Sequence, residues 1–187
     1  MFPDLNKVEV KETTSYLTAG IHEVKIDEMR NSNQKEGYTG TPYVEFKVSN
    51  KDGISYLKFS GVDANTSENA ARVRTEIFKG FLQTAGATSF NSLPTACKEA
   101  LGNKINVCLR EREYWTTDKD TGAPIVKTVV EYKFANPVGK SISWQDKYNQ
   151  KLSPVDQAAY KAANDAFLMS QGNVQTDDMP RQRGMAS

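Results

Sequence analysis

One histidine, two cysteines and no long apolar run mark this 187-residue sequence, and each scarcity removes a class of chemistry. His22 is the only histidine, and no serine or cysteine stands in a nucleophile turn of the GxSxG type, so a catalytic triad has no local support. A pairing of His22 with Cys108 in space is the one Cys–His arrangement left open. Neither Cys97 nor Cys108 belongs to a CxxC or HxxxH pair, so the spacing of a zinc site is missing and no metal is expected. Both cysteines read as reduced, packed thiols of a cytosolic protein. No stretch approaches the ~18–20 apolar residues of a membrane-spanning helix. The N-terminal residues, MFPDLNKVEVKE, carry charges where an export signal needs an apolar core. No membrane partner is therefore expected. Walker and GxGxxG loops are missing as well, so no nucleotide cofactor is called for.

Net charge is also scarce. The chain has 24 Lys+Arg against 23 Asp+Glu, a formal charge of +1. Cations and carboxylates balance over residues 1–135 and, to within one, over 136–187. Bulk positive charge of the histone kind is excluded, and any polyanion must be met by a local arrangement. What the sequence does hold is 38% hydrophobic and 10% aromatic residues, enough for a folded core rather than a disordered chain.

The apolar pattern has period two from Gly20, with Val24 and Ile26 on one face of a strand. A polar loop follows from Asn31 to Gly40. Pro42 then opens a second strand whose inward set is Val44, Phe46 and Val48. Asn50-Lys-Asp-Gly53 predicts a hairpin. The returning strand, Ile54 to Val62, turns Leu57 and Phe59 inward, and Gly61 suggests a bulge or bend of the kind that closes a small barrel. The period then becomes helical. Asn65-Thr-Ser-Glu68 resembles a capping box with Asn65 as the cap, followed by Ala70, Val73, Ile77, Phe78, Phe81 and Leu82 up to Gly86. A second short helix is expected across Leu93–Leu101. Lys104–Trp115 and Ile125–Ala135 form one long hairpin burying Ile105, Val107 and Leu109. Ser153-Pro154 starts a third helix, with Val155, Ala158, Ala159, Ala162, Ala166 and Phe167 as its thin apolar stripe.

Three strands, a helical insertion and two more strands predict a mainly β fold with a helical insertion. The expected form is an OB-fold-like five-stranded barrel with an extended β-hairpin and a C-terminal α-helix. A small open sheet with helices on one face shares the same elements. Residues 1–19 read as an N-terminal arm or edge strand. Residues 20–137 read as the OB-fold domain, with its helical insertion at about 65–101 and its long hairpin over 104–135. Residues 138–172 are a linker and C-terminal helix, and 173–187 a flexible tail. That helix packs on the domain or on a second subunit, which leaves a homo-oligomer open.

The candidate site lies opposite the core stripes. Tyr43 and Lys47 face outward on one strand, with Tyr56 and Lys58 on its partner; Arg110, Arg112 and Tyr114 share a face of the long hairpin near Lys127 and Lys133, and Trp115 marks its tip region. Alternating cations and rings on a sheet suit single-stranded nucleic acid, with phosphates on Lys and Arg and bases on rings worth roughly 1–3 kcal/mol each. The same residue types also make an ordinary solvated strand face. Glu45-Phe-Lys47 fits half of a metal-dependent nuclease motif. Glu23-Val-Lys25 and Glu131-Tyr-Lys133 match it equally well, so mixed-charge alternation is the simpler account and no enzyme is expected.

Gly20-Ile-His-Glu-Val-Lys-Ile26, Gly40-Thr-Pro-Tyr-Val-Glu-Phe-Lys-Val48, Gly80-Phe-Leu-Gln-Thr-Ala-Gly86 and Leu101-Gly-Asn-Lys-Ile-Asn-Val107 resemble the strand openings and turns of phage single-stranded-DNA-binding proteins of OB type. Asp120-Thr-Gly-Ala-Pro124 fits the turn of their long hairpin. The resemblance covers about residues 16–137. It implies a non-catalytic protein that coats single-stranded DNA in phage DNA replication or recombination, in the cytoplasm of the host cell. It implies replication or recombination proteins as further partners. For binding it supports Tyr43, Lys47, Tyr56, Lys58, Arg110, Arg112 and Tyr114. Such proteins often end in an acidic peptide with a terminal aromatic. Asp177-Asp-Met-Pro180 is similar to that peptide, but Arg181–Ser187 follows it without a terminal Phe. A virion structural or assembly protein, using the barrel for contacts with other chains, is the alternative. A recombination mediator or nuclease accessory that binds DNA only within a complex is a third.

Overall fold

A computed structural model of the protein describes residues 14–140 and 142–176. The expectations for residues 1–13 of the N-terminal arm, and for the acidic Asp177-Asp178 peptide, lie outside the described residues. Among the described residues, five strands and three α-helices follow in the order β1 (Gly20–Asn31), β2 (Tyr43–Asn50), β3 (Gly53–Ser60), α1 (Glu68–Thr84), α2 (Leu93–Ala100), β4 (Lys104–Thr117), β5 (Pro124–Pro137) and α3 (Pro154–Thr176). The fold is mainly β with helical parts.

The strands form one antiparallel sheet in the order β3-β2-β1-β4-β5. The expected form is an OB-fold-like five-stranded barrel; the hydrogen-bonded sheet is open, with β3 and β5 as its two edges, which do not pair. Side chains fill the seam instead. Phe59 of β3 meets Tyr132 of β5 with ring centroids 5.0 Å apart, and Phe81 of α1 lies against both, at 4.6 Å and 5.6 Å. Rings of β3, β5 and α1 keep apolar contact across a seam that carries no strand pairing.

The alternating pattern places the expected core. Val24, Ile26, Phe46, Val48, Leu57, Ile105, Val107 and Leu109 are all buried, with Phe81, Leu82, Cys97 and Ala100 packed on them from α1 and α2. The bend falls elsewhere than Gly61. The register between β1 and β2 slips between Ile26 and Glu28, so Asp27 is the extra residue of a bulge. Gly61 instead follows β3, where its amide donates to the Pro42 carbonyl at 2.6 Å and a Cβ would approach that oxygen to 3.0 Å.

Two helix details also differ. Ser67, not Asn65, caps α1, its hydroxyl accepting from the Ala70 amide at 3.3 Å. Asn65 belongs to the preceding turn, where its amide donates to Asp63. The buried side of α1 runs through Arg74, Phe78, Phe81 and Leu82, leaving Val73 and Ile77 exposed. Of the expected stripe on α3 only Phe167 is half-buried, together with Tyr160, Ala163 and Asn164, while Val155, Ala158, Ala159, Ala162 and Ala166 are exposed. This helix continues to Thr176.

The chain divides into two compact units. One comprises the chain up to Arg110 together with Val130–Tyr148, and the other Glu111–Val129 together with the chain from Asn149. In the first, Ser15–Leu17 lie along the start of β3, with Leu17 donating to the Ile54 carbonyl at 2.8 Å and Ile54 to that of Ser15 at 2.9 Å. Cys97 and Cys108 are free and buried there, their thiols pushed up by desolvation. His22 donates to or accepts from no cysteine; its Nε2 lies 2.8 Å from the Thr18 carbonyl oxygen. Ile21, not His22, stands opposite Cys108 in the register. In the second unit, Gln150 runs beside β4 through bonds to the Glu111 carbonyl and from the Glu113 amide, both 2.8 Å.

Candidate nucleic-acid interface

Four of the expected residues come together on the outer face of β2 and β3. Register sets Lys47 opposite Tyr56, Glu45 opposite Lys58 and Tyr43 opposite Ser60. The bulge at Asp27 adds a cation that simple alternation would have turned inward. Beyond the bulge, Met29 pairs with Phe46 on the core side and Arg30 pairs with Glu45 on the outer side. The Arg30 guanidinium then lies 5.9 Å from the Tyr56 ring centroid, and the Lys58 ammonium 4.1 Å from that of Tyr43. Tyr38 meets Tyr43 edge-on at 5.3 Å, with its hydroxyl donating to the Thr41 carbonyl at 2.9 Å. Glu28 accepts from Arg30 at 2.7 Å and lies 3.7 Å from Lys47. The signal for Arg30 in the sequence is Met29, an apolar residue that breaks the parity of Val24 and Ile26.

Lys58 joins this face to a cleft of about 290 Å³ at the seam between β3 and β5. Its lining is Lys58, Phe59 and Ser60 of β3, Arg74 and Ile77 of α1, Arg110 of β4, and Tyr132 and Lys133 of β5. Arg110 donates twice to one oxygen of Glu131, at 3.0 Å and 2.7 Å. Arg74 Nη1 donates to the Gly61 carbonyl at 2.8 Å and approaches the Thr66 hydroxyl at 3.3 Å. Asp63 anchors that loop by accepting from the hydroxyls of Thr41 and Thr66 and the amide of Asn65, which holds its carboxyl below the ordinary range. Burial pushes the Tyr132 phenol up to about 12, so its hydroxyl stays protonated at any physiological pH. Arg74 was not foreseen, because it lies on the helix, at the exposed end of the stripe that buries Phe78 and Phe81.

The remaining expected residues belong to the second unit. Arg112 places its guanidinium 5.8 Å from the Tyr114 ring. Trp115 is half-buried, its ring edge-on to Tyr160 of α3 at 6.3 Å, so part of its surface is spent within the fold. Lys127 is exposed and acts on Asp118, whose carboxyl is held low chiefly by the amides of Thr121 and Asp120 in the hairpin turn. The three Glu-x-Lys matches do not converge. Glu23 lies 3.7 Å from Lys104, Glu45 pairs with Lys58 in register, and Glu131 binds Arg110. Among the described residues no three His, Cys, Asp or Glu are grouped to hold a metal, and no helix is long and apolar enough to cross a membrane. The chain matches no known protein family, and no curated protein sequence is similar to it.

Proposed function

We propose that the protein is a non-catalytic OB-type module that binds single-stranded DNA with little sequence preference, serving phage DNA replication or recombination. The observation that carries this reading is the outer face of β1–β3, where Tyr43 and Tyr56 each lie within reach of a cation, Lys58 or Arg30, with Lys47 beside them. Unstacked bases would take the ring faces as phosphates draw the cations aside, and both contacts tolerate any base. The strand order β3-β2-β1-β4-β5, with a helix after β3, supports the OB assignment, since that fold is a partly open five-stranded barrel that binds oligonucleotides on its second and third strands.

Fluorescence anisotropy with a labelled oligo-dT strand at several salt concentrations tests the reading. Micromolar or tighter binding that weakens with salt is expected. No binding at low salt overturns it, and metal-dependent degradation of the strand would point to a nuclease. The second reading, a virion assembly protein, draws on the exposed apolar residues of α3, where Val155 and Met169 are 78% and 70% accessible. It predicts self-association by light scattering together with indifference to oligo-dT.

A further inference from the structure

We infer that the cleft at the β3/β5 seam is a phosphate-binding site, which takes a phosphoryl group of the bound strand and ties the two unpaired edge strands together through it. This inference rests on the proposed binding of single strands on the adjoining tyrosine face.

Four cationic side chains from four elements converge on the cleft: Lys58, Arg74, Arg110 and Lys133. Three carboxylates temper them, Glu45 by standing opposite Lys58 in the register. Glu131 is engaged by Arg110, and Asp63 acts on Arg74 from behind the Thr66 hydroxyl. Among the described residues neither Lys58 nor Lys133 is in a salt bridge, so the cleft keeps a local positive excess although the whole chain is almost neutral.

The site is also built rather than merely charged. The Gly61 carbonyl and the Thr66 hydroxyl fix the Arg74 guanidinium, and Glu131 fixes that of Arg110. Ordering these two long side chains has therefore been done before any ligand arrives, which is where much of the entropic cost of anion binding lies. Ser60 adds a neutral side chain to the lining. At about 290 Å³ the space takes a phosphoryl group with part of its hydration.

The position of the two lysines gives the site a structural consequence. Lys58 stands on β3 and Lys133 on β5, the two edges that share no hydrogen bonds. A phosphate accepting from both supplies a polar link across a seam that otherwise rests on Phe59, Phe81 and Tyr132. A ligand that binds only the folded state raises its stability by mass action.

The phosphoryl group has two sources, an internal phosphodiester or a terminal phosphomonoester, and the experiment separates them. Thermal unfolding of the full chain is measured in inorganic phosphate and in chloride at matched ionic strength. A phosphate-specific rise of about 3 °C is expected at millimolar phosphate, and it should vanish in the Lys58→Ala/Lys133→Ala double variant. No rise, or a rise that survives in the double variant, overturns the site. Anisotropy then compares wild type, Lys133→Ala and Tyr56→Ala on dT strands carrying a 5′-phosphate, a 3′-phosphate or hydroxyls at both ends. Roughly tenfold weakening by Lys133→Ala on all three assigns the cleft to an internal diester; weakening confined to one phosphorylated strand assigns it to that terminus. If Tyr56→Ala weakens binding and Lys133→Ala leaves every strand unaffected, the cleft is overturned and the tyrosine face stands. If wild type binds no strand yet inorganic phosphate stabilises it through the two lysines, the single-strand reading fails and the anion site remains.

Discussion

A Cβ added at Gly53 would sit 2.5 Å from the Ser15 carbonyl oxygen, at a φ of +154°. The hairpin turn and the docking of Ser15–Leu17 thus depend on one missing side chain, because Ile54 donates to that same carbonyl. Gly53→Ala should cost about 1–3 kcal/mol, read by urea unfolding. The amides of Leu17 and Ile54 should exchange faster with solvent. On the outer face the relevant loss is ring surface. Tyr43→Ala or Tyr56→Ala should each weaken oligo-dT binding by about 5- to 100-fold, the range expected for one stacked base, with the far-ultraviolet circular dichroism unchanged. Indifference at both positions would mean that the bases lie elsewhere. Tyr43, Lys47, Tyr56 and Lys58 were legible from strand parity alone. Arg30 was not, since a single extra residue at Asp27 reverses the parity after it.

At the scale of elements, α1 illustrates how periodicity leaves an angular choice open. Val73, Ile77 and Phe81 lie close to one line on a helix, as do Arg74, Phe78 and Phe81, and the more hydrophobic line is the natural expectation. The fold rotates the helix toward the second because Phe78 and Phe81 stack on Phe46, Phe59 and Tyr132, a ring cluster assembled from three other strands. Ring contacts of that number outweigh the burial of two aliphatic side chains. Phe81→Ala should therefore cost about 3–5 kcal/mol, whereas Ile77→Thr should stay within about 0.5 kcal/mol. Equilibrium unfolding of the two variants side by side checks both. Equal losses would return Ile77 to the core side. On the third helix the alanines carry little apolar area, and Tyr160 joins the expected Phe167 on the half-buried side.

For the whole molecule, the near-neutral charge bears on mechanism. Under the proposed binding, cations gathered in a local patch would neutralise few phosphates at once. Raising salt from 50 to 200 mM should weaken binding by about tenfold, not the ~10³–10⁵-fold of a protein making 6–10 phosphate contacts. Acid should act more uniformly. Asp63, Glu99, Glu113 and Asp118 are all held below the ordinary carboxylate range by hydrogen bonds they accept: Asp63 chiefly from Thr41, Glu99 from Ser89, Glu113 from Lys151 and Asp118 from Thr121. A carboxyl lowered by folding contributes stability that is complete above its unfolded value and is lost as pH falls through its folded one. Thermal midpoints should thus be flat through neutrality and decline once pH drops through and below the ordinary carboxylate range. A midpoint still level there would contradict these bonds.

By itself the sequence determined the element order, the period-two core and the outward placement of the β2–β3 site residues, because alternation along a strand and the chemistry of Gly, Pro and capping residues are local properties. The tertiary structure alone decided what happens where distant segments meet. It left β3 and β5 unpaired, turned Arg30 outward through the bulge, and brought Lys58, Arg74, Arg110 and Lys133 round one cleft. Those outcomes depend on side chains separated by scores of residues competing for the same space, and no spacing within the chain records that competition.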